Sequence, residues 1–261
     1  MNLDLKNKNA VVCGSTQGIG KAVAVELALL GANVTLIARD ESKLKKVSAE
    51  LDSSKNQKHN YLVADFTKPD ELKKKIEDHT KTNTVHILIN NTGGPAGGPI
   101  IEAKTEEFTQ AFSNHLVCNH ILVQAVVSGM KKEKYGRIIN IISTSVKQPI
   151  KGLGVSNTTR WAVASWAKTL AGELGPFGIT VNNVLPGSTN TERLKTLMEA
   201  RAKKNGVSFP EEEKEWLKEI PACRFADASE IAAAAAFLAS PAASYINGIN
   251  IPVDGGRTGS L

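Results

Sequence analysis

The chain has 261 residues, of which 41% are hydrophobic and 22% charged; this is enough apolar material for one large domain and excludes a disordered or fibrous class. Its net charge of +6 is not taken as a sign of nucleic-acid binding, because the lysines stand beside acids, as in Glu41, Lys43, Lys45 and Lys46, the pattern of solvated helix faces. The longest apolar run, residues 231–239, is too short to cross a bilayer, and Cys13, Cys118 and Cys223 lack metal-ligand spacing, so no membrane span, disulfide framework or zinc site is expected. The polar start, residues 1–8, gives no sign of an apolar leader, and a reducing cytoplasm is the expected location.

Short β-branched runs alternate with longer amphipathic ones. Residues 10–13 are expected as a strand, 18–30 as a helix, 33–38 as a strand and 40–51 as a helix. Residues 61–64 form the next strand, and Thr67 is expected to cap the following helix with Pro69 and Asp70 in its first turn. Then come a strand at 85–90, a long helix at 105–130, a strand at 137–142, a helix at 156–174 and a strand at 179–185. Residues 188–221 break the rhythm: the segment is charged, has no strand, and carries Leu194, Leu197, Met198, Phe209, Trp216 and Leu217, as a helical lid would. Asp227 and Glu230 have the spacing of a capping box for a helix at 229–238, and 249–253 closes the series as a strand. Regular β-α alternation predicts a single domain over residues 1–261, a doubly wound parallel sheet of the Rossmann-like α/β class with a lid insertion.

The first strand runs into Gly14-Ser15-Thr16-Gln17-Gly18-Ile19-Gly20 and then a helix. Glycines let a backbone turn sharply and lie close to a pyrophosphate, and the new helix offers free N–H groups and a positive dipole end. With its G-x-x-x-G-x-G spacing, this turn resembles the cofactor turn of short-chain dehydrogenases/reductases. The likeness continues through Asp65, Asn90-Asn91-Thr92-Gly93, the strand ending at Ser143, Pro186-Gly187 with Thr191, and Val253-Asp254-Gly255-Gly256; it is strongest to 3-oxoacyl-acyl-carrier-protein reductases. The resemblance implies cofactor contacts at Gly14, Ser15, Gly18, Ile19, Gly20, Asp65, Asn91, Gly93, Pro186, Gly187 and Thr191. At the end of the second strand Ala38-Arg39 replaces the acid that would bind the ribose of NAD. A guanidinium suits a 2′-phosphate, so NADP(H) is preferred, with NAD(H) as the alternative, unless Arg39 is a surface partner of Asp40 or Glu41.

The resemblance also implies a Ser that steadies the substrate carbonyl, a Tyr that passes the proton, a Lys four residues on, and an Asn on the long middle helix. Counted from Ser143, the Tyr position is Ser156 and the Lys position Arg160; the Asn position falls on His115. The three tyrosines, Tyr61, Tyr135 and Tyr245, are followed four residues later by Asp65, Ile139 and Ile249, so the sequence contains no Tyr-x-x-x-Lys. Ser156 and Arg160 are one helical turn apart and share a face. Arg160 can hold ribose hydroxyls and stabilise an alkoxide but cannot realistically release a proton. His115 has an ordinary pKa near 6.5 and could relay one, with Lys147 and Lys151 as further donors; equally, His115 could be a hydrogen-bonded helix residue and Ser143 a backbone cap.

Three functions follow. One is an oxidoreductase that acts on a small-molecule carbonyl or secondary alcohol through Ser143, Ser156, Arg160 and His115 without a metal. Another is a non-catalytic dinucleotide-binding protein, a sensor or structural subunit. The third is different chemistry on the same scaffold, such as a dehydratase or epimerase. Apolar residues on several faces of the long helices, such as Leu116, Ile121, Trp161, Val163 and Trp166, predict a homo-oligomer, a tetramer in related enzymes; no nucleic-acid or membrane partner is expected.

Overall fold

The computed structural model describes residues 1–260 and builds one parallel sheet. In chain order the elements are β1 (Asn9–Cys13), α1 (Gly18–Leu29), β2 (Asn33–Ala38), α2 (Glu41–Glu50), β3 (Asn60–Val63), α3 (Pro69–Thr80), β4 (Ile87–Asn90), α4 (Thr105–Phe112), α5 (Cys118–Glu133), β5 (Gly136–Ile141), α6 (Gly154–Leu174), β6 (Ile179–Pro186), α7 (Glu192–Asn205), α8 (Phe209–Lys218), α9 (Ala228–Ala239) and β7 (Asn250–Val253). The strand order is β3-β2-β1-β4-β5-β6-β7, and every pairing is parallel. The order reverses between β1 and β4, the crevice where doubly wound sheets place ligands.

Side-chain alternation divides the core between the two faces. Ala10, Val12, Ile87, Ile89, Ile139 and Ile141 pack against α1, α2 and α9, while Val11, Cys13, Leu88 and Ile138 pack against α3, α5 and α6. The alanine run of α9 puts Ala232, Ala235, Ala236 and Ala239 in the same cluster as Ala24 and Ala28 of α1; such small side chains let the two helices lie close.

Across four neighbouring strands, β4 to β7, runs a chain of asparagines. Register places Asn90 opposite Asn140, Asn140 opposite Asn183, and Asn183 opposite Asn250. Each carboxamide donates to the oxygen of the next at 2.8 Å, from Asn90 to Asn140 to Asn183 to Asn250. The Asn90 oxygen at the head of the chain has no partner among the described residues.

The lid is two helices, α7 and α8, which close on each other over Leu194, Met198, Trp216 and Ile220, with Leu197 and Phe209 packed against them. The Trp216 indole donates to the Ser188 hydroxyl at 2.8 Å, and the buried Glu212 carboxylate pairs with Arg201 at 2.7 Å. The lid's apolar residues therefore mainly fill its own small core. The capping box of Asp227 and Glu230 is present. Thr67, in contrast, does not cap α3: the Asp65 carboxylate takes the Thr67 N–H at 2.9 Å, the tight turn uses Thr67 up, and Lys68 is left in the cap position before Pro69.

Candidate active site

Parallel pairing brings the carboxyl ends of β1, β4, β5 and β6 to one edge, and each leads into a motif residue. The turn after β1 needs its glycines. Gly14 has φ +58°, and a Cβ on Gly20 would lie 2.2 Å from the Gly14 carbonyl oxygen. Asn91, after β4, donates to the carbonyls of Cys13 and Gly14 at 3.2 and 3.3 Å and so fixes the turn against the neighbouring strand. Ser15 is fully buried and donates to the Ile37 carbonyl at 3.4 Å. Gly18 faces Thr191, which itself caps α7. Gln17 puts no side chain on the first N–H groups of α1, and no acid occupies that first turn. Open backbone donors, a positive helix end and a surface of glycines fit a pyrophosphate.

One strand from β1 stands Arg39, after β2, and two strands away stands Asp65, after β3. Arg39 is exposed at the end of β2 and makes no ion pair among the described residues. Its acidic neighbours are engaged elsewhere: Asp40 caps α2 through Lys43 and Ser42, and Glu41 pairs with Lys45 and accepts from the Tyr61 hydroxyl. Burial works to raise the Asp65 carboxyl, but hydrogen bonds from Thr67 and the nearby charges of Arg39 and Lys68 outweigh it and hold the group below its usual range.

After β5 and along α6 lie the candidate catalytic groups. Ser143 accepts from the Ser145 N–H at 3.0 Å, so it caps a short 3₁₀ turn and keeps its own O–H free to donate. Ser156 is half-buried in the first turn of α6, and its hydroxyl has no partner among the described residues. Two residues on either side of the turn hold this region: the Asn157 carboxamide donates to the Ile150 carbonyl at 2.9 Å, and the Trp161 indole donates to the Ser145 carbonyl at 2.9 Å. Arg160 is 7% exposed and donates to the Ile141 carbonyl at 3.2 Å. Burial, and then the charge of Arg193, push it down to about 10, which still leaves it charged at neutral pH.

His115 lies in a single π-helical turn, Ser113–Val117, between α4 and α5, a local irregularity that re-aims a side chain. It is buried, with Nδ1 against the Thr92 hydroxyl. Burial, and then the neighbouring Arg160 charge, push its pKa down to about 2. The imidazole is therefore neutral across the physiological range. This corrects the expectation of a histidine that titrates between pH 5 and 8: an environment that is both buried and cationic disfavours the imidazolium twice over. Of the two loop lysines, Lys151 is exposed and Lys147 partly buried.

The structure thus joins Gly14, Gly18 and Gly20 with Asn91 and Thr191, and separately joins Arg160, His115 and Thr92 at the mouth of β4. Gly187 is held at the end of β6, where its N–H donates to the Val253 carbonyl at 2.9 Å. A Cβ on Gly94 would meet the guanidinium of Arg193 at 3.5 Å and that of Arg160 at 3.9 Å. Thr92 and Arg193 were not picked out from the sequence as acting on this site. A surface hollow of about 520 Å³ lined by Leu3, Asp4, Lys6, Leu30, Lys55 and Asn56 contains none of the motif residues. No helix among the described residues is long and apolar enough to cross a membrane.

A family model described as enoyl-(acyl carrier protein) reductase matches residues 14–258. The NADPH-dependent reductase BacG of Bacillus subtilis is 31% identical over 98% of this chain and 100% of its own length. The 3-oxoacyl-(acyl-carrier-protein) reductase FabG of Vibrio cholerae is 34% identical over 97% of this chain and 98% of its own. Among solved structures, L-sorbose reductase from Gluconobacter frateurii, complexed with NADPH and L-sorbose, superposes with a TM-score of 0.93 at 29% identity, with 100% of both chains covered.

Proposed function

The chain belongs to the short-chain dehydrogenase/reductase family, and on that premise we propose that it is an NADP(H)-dependent reductase of a small-molecule carbonyl compound, able to run in reverse on the secondary alcohol. The observation that carries the cofactor half is Arg39, an exposed guanidinium where an NAD enzyme would place an acid, with its acidic neighbours engaged elsewhere. The NADPH in the name of BacG and in the sorbose reductase complex supports the same preference. In this reading Gly14, Ser15, Gly18, Ile19 and Gly20 surround the pyrophosphate and Arg39 takes the 2′-phosphate. Asp65 meets the adenine; Asn91, Gly93, Pro186, Gly187 and Thr191 line the nicotinamide half; and Arg160 holds its ribose.

When bound, NADPH supplies a hydride to the carbonyl carbon, so that carbonyl, NADPH and one proton give alcohol and NADP⁺. The chain's own groups handle the oxygen. Ser143, its lone pair taken by the Ser145 N–H, presents its O–H to the carbonyl oxygen, and the unpartnered Ser156 hydroxyl offers a second donor. Arg160 stays charged and stabilises the developing alkoxide as a fixed cation. His115, neutral and joined to Thr92, acts as a relay of hydrogen bonds through which a solvent proton reaches the oxygen, and not as an imidazolium acid. The centre is thus Ser143, Ser156 and Arg160 with His115 behind them.

The test is a fluorescence titration with NADPH and NADH, followed by a panel of carbonyls and alcohols with Arg160→Ala as control. Tighter NADPH binding with turnover that Arg160→Ala lowers at least tenfold is expected. NADPH binding without turnover of any carbonyl would make the protein a dinucleotide-binding sensor instead.

A further inference from the structure

The chain contains two buried arginines that are satisfied differently. Arg137, 3% exposed at the amino end of β5, donates to the carbonyls of Ser240, Gly136 and Gly178 at 3.4, 2.9 and 3.3 Å, and its guanidinium lies 4.2 Å over the Tyr135 ring. That is how this fold neutralises a structural guanidinium without an acid. Arg160 has a single bond, to the Ile141 carbonyl, and leaves four N–H donors without a protein partner among the described residues. Beside it stands Arg193, exposed in the first turn of α7, one N–H donating to the Pro95 carbonyl and no carboxylate within ion-pair distance among the described residues. Both guanidiniums flank the same open residue, Gly94.

Two cations facing one another in a partly desolvated cleft are mutually unfavourable, and Arg193 sits where the positive end of a helix adds to the cost. An arrangement of this kind becomes favourable when an anion enters between them. The cofactor's anionic groups have other hosts in the reading above: the glycine turn and the end of α1 for the pyrophosphate, Arg39 for the 2′-phosphate. The Pro95 contact fixes one edge of the Arg193 guanidinium and leaves the fork free for a planar, bidentate partner.

We infer that Arg193, with Arg160 behind it, is the recognition point for a carboxylate on the substrate, so that the carbonyl compound reduced is a keto acid. The inference rests on the carbonyl-reductase reading for its chemistry, although the anion site stands on the geometry alone. Gly94 borders the site, since a Cβ there would lie within 4 Å of both guanidiniums.

The experiment compares acids with their uncharged esters: pyruvate with ethyl pyruvate, and acetoacetate with ethyl acetoacetate, at saturating NADPH. The wild type is expected to favour the acid of each pair in kcat/KM. Arg193→Gln is expected to lower the acid-to-ester ratio by about 10- to 100-fold, the loss of one charge-assisted contact, mainly through KM, and Arg193→Lys to restore part of it. The NADPH dissociation constant serves as the control. If Arg193→Gln instead weakens NADPH binding and slows acid and ester alike, or if the wild type favours the esters, Arg193 serves the cofactor and the inference is overturned. If no carbonyl is turned over, the reductase reading fails by itself. Calorimetry of pyruvate binding to the NADP⁺ complex then decides the anion site: heat with the wild type and none with Arg193→Gln upholds it, and no heat with either overturns it.

Discussion

Arg39 is exposed at the end of β2 with no ion pair among the described residues, and its charge acts on Asp65. Its removal should weaken NADPH about 10- to 100-fold and NADH by less than about threefold, because only NADPH carries the phosphate that a guanidinium grips; equal losses for both cofactors in a fluorescence titration would assign Arg39 another task. His115 gives a prediction about acid. Its folded pKa of about 2 lies well below the ordinary value near 6.5, so as pH falls the unfolded chain takes up the proton first. The stability tied to the neutral ring is complete above about pH 6.5 and is lost progressively towards pH 2, at up to about 1.4 kcal/mol per pH unit. Denaturation midpoints measured from pH 7 to 4 should fall less steeply for His115→Gln than for the wild type, and the pH–rate profile between pH 5 and 8 should show no inflection that this substitution removes. The glycine turn was legible in the sequence because it follows directly on the first strand, whereas Ser143, Ser156 and Arg160 were reached only through the family resemblance. The protonation state of His115 was not legible, because it depends first on burial and then on the charge of Arg160, both of which arise only from tertiary packing. Arg193 was missed since a charged residue in a charged lid looks like any solvated side chain.

At the scale of elements, the alternation of strands and helices was readable almost throughout, because each strand's apolar run ends at a turn residue. The asparagine chain was not. Asn90, Asn140, Asn183 and Asn250 lie in four separate strands, and only the inter-strand register puts them in line. Removing an inner member strands both its neighbours. Asn140→Ala leaves the Asn90 donor and the Asn183 oxygen without partners on that side, in a region with almost no water access, and should cost about 2–4 kcal/mol in urea unfolding. A loss below about 1 kcal/mol would mean that water replaces the missing amide. The lid was legible as a unit, and α7 and α8 enclose most of its apolar residues between them.

At the scale of the whole molecule, several large apolar side chains stand exposed. Phe112, Val117 and Trp161 on the α4, α5 and α6 layer are 43%, 39% and 50% exposed, and Tyr245, shortly before β7, is fully so. Closed symmetry is the default for assemblies that cover such side chains, and light scattering at micromolar concentration should return four times the chain mass. A monomer there would mean that these side chains serve something else. The asparagine chain also bears on synthesis. β7 is made later than the other six strands of this sheet, after the lid and α9. At about 5–20 residues per second, the growing sheet waits several seconds with β6 as an open parallel edge and the Asn183 amide reaching for a neighbour that does not yet exist. Throughout that interval the nascent chain has the exposed strand edge and unpaired polar group that holdase chaperones protect, and a stop codon before Asn250 should yield aggregate, however sound the six strands already made.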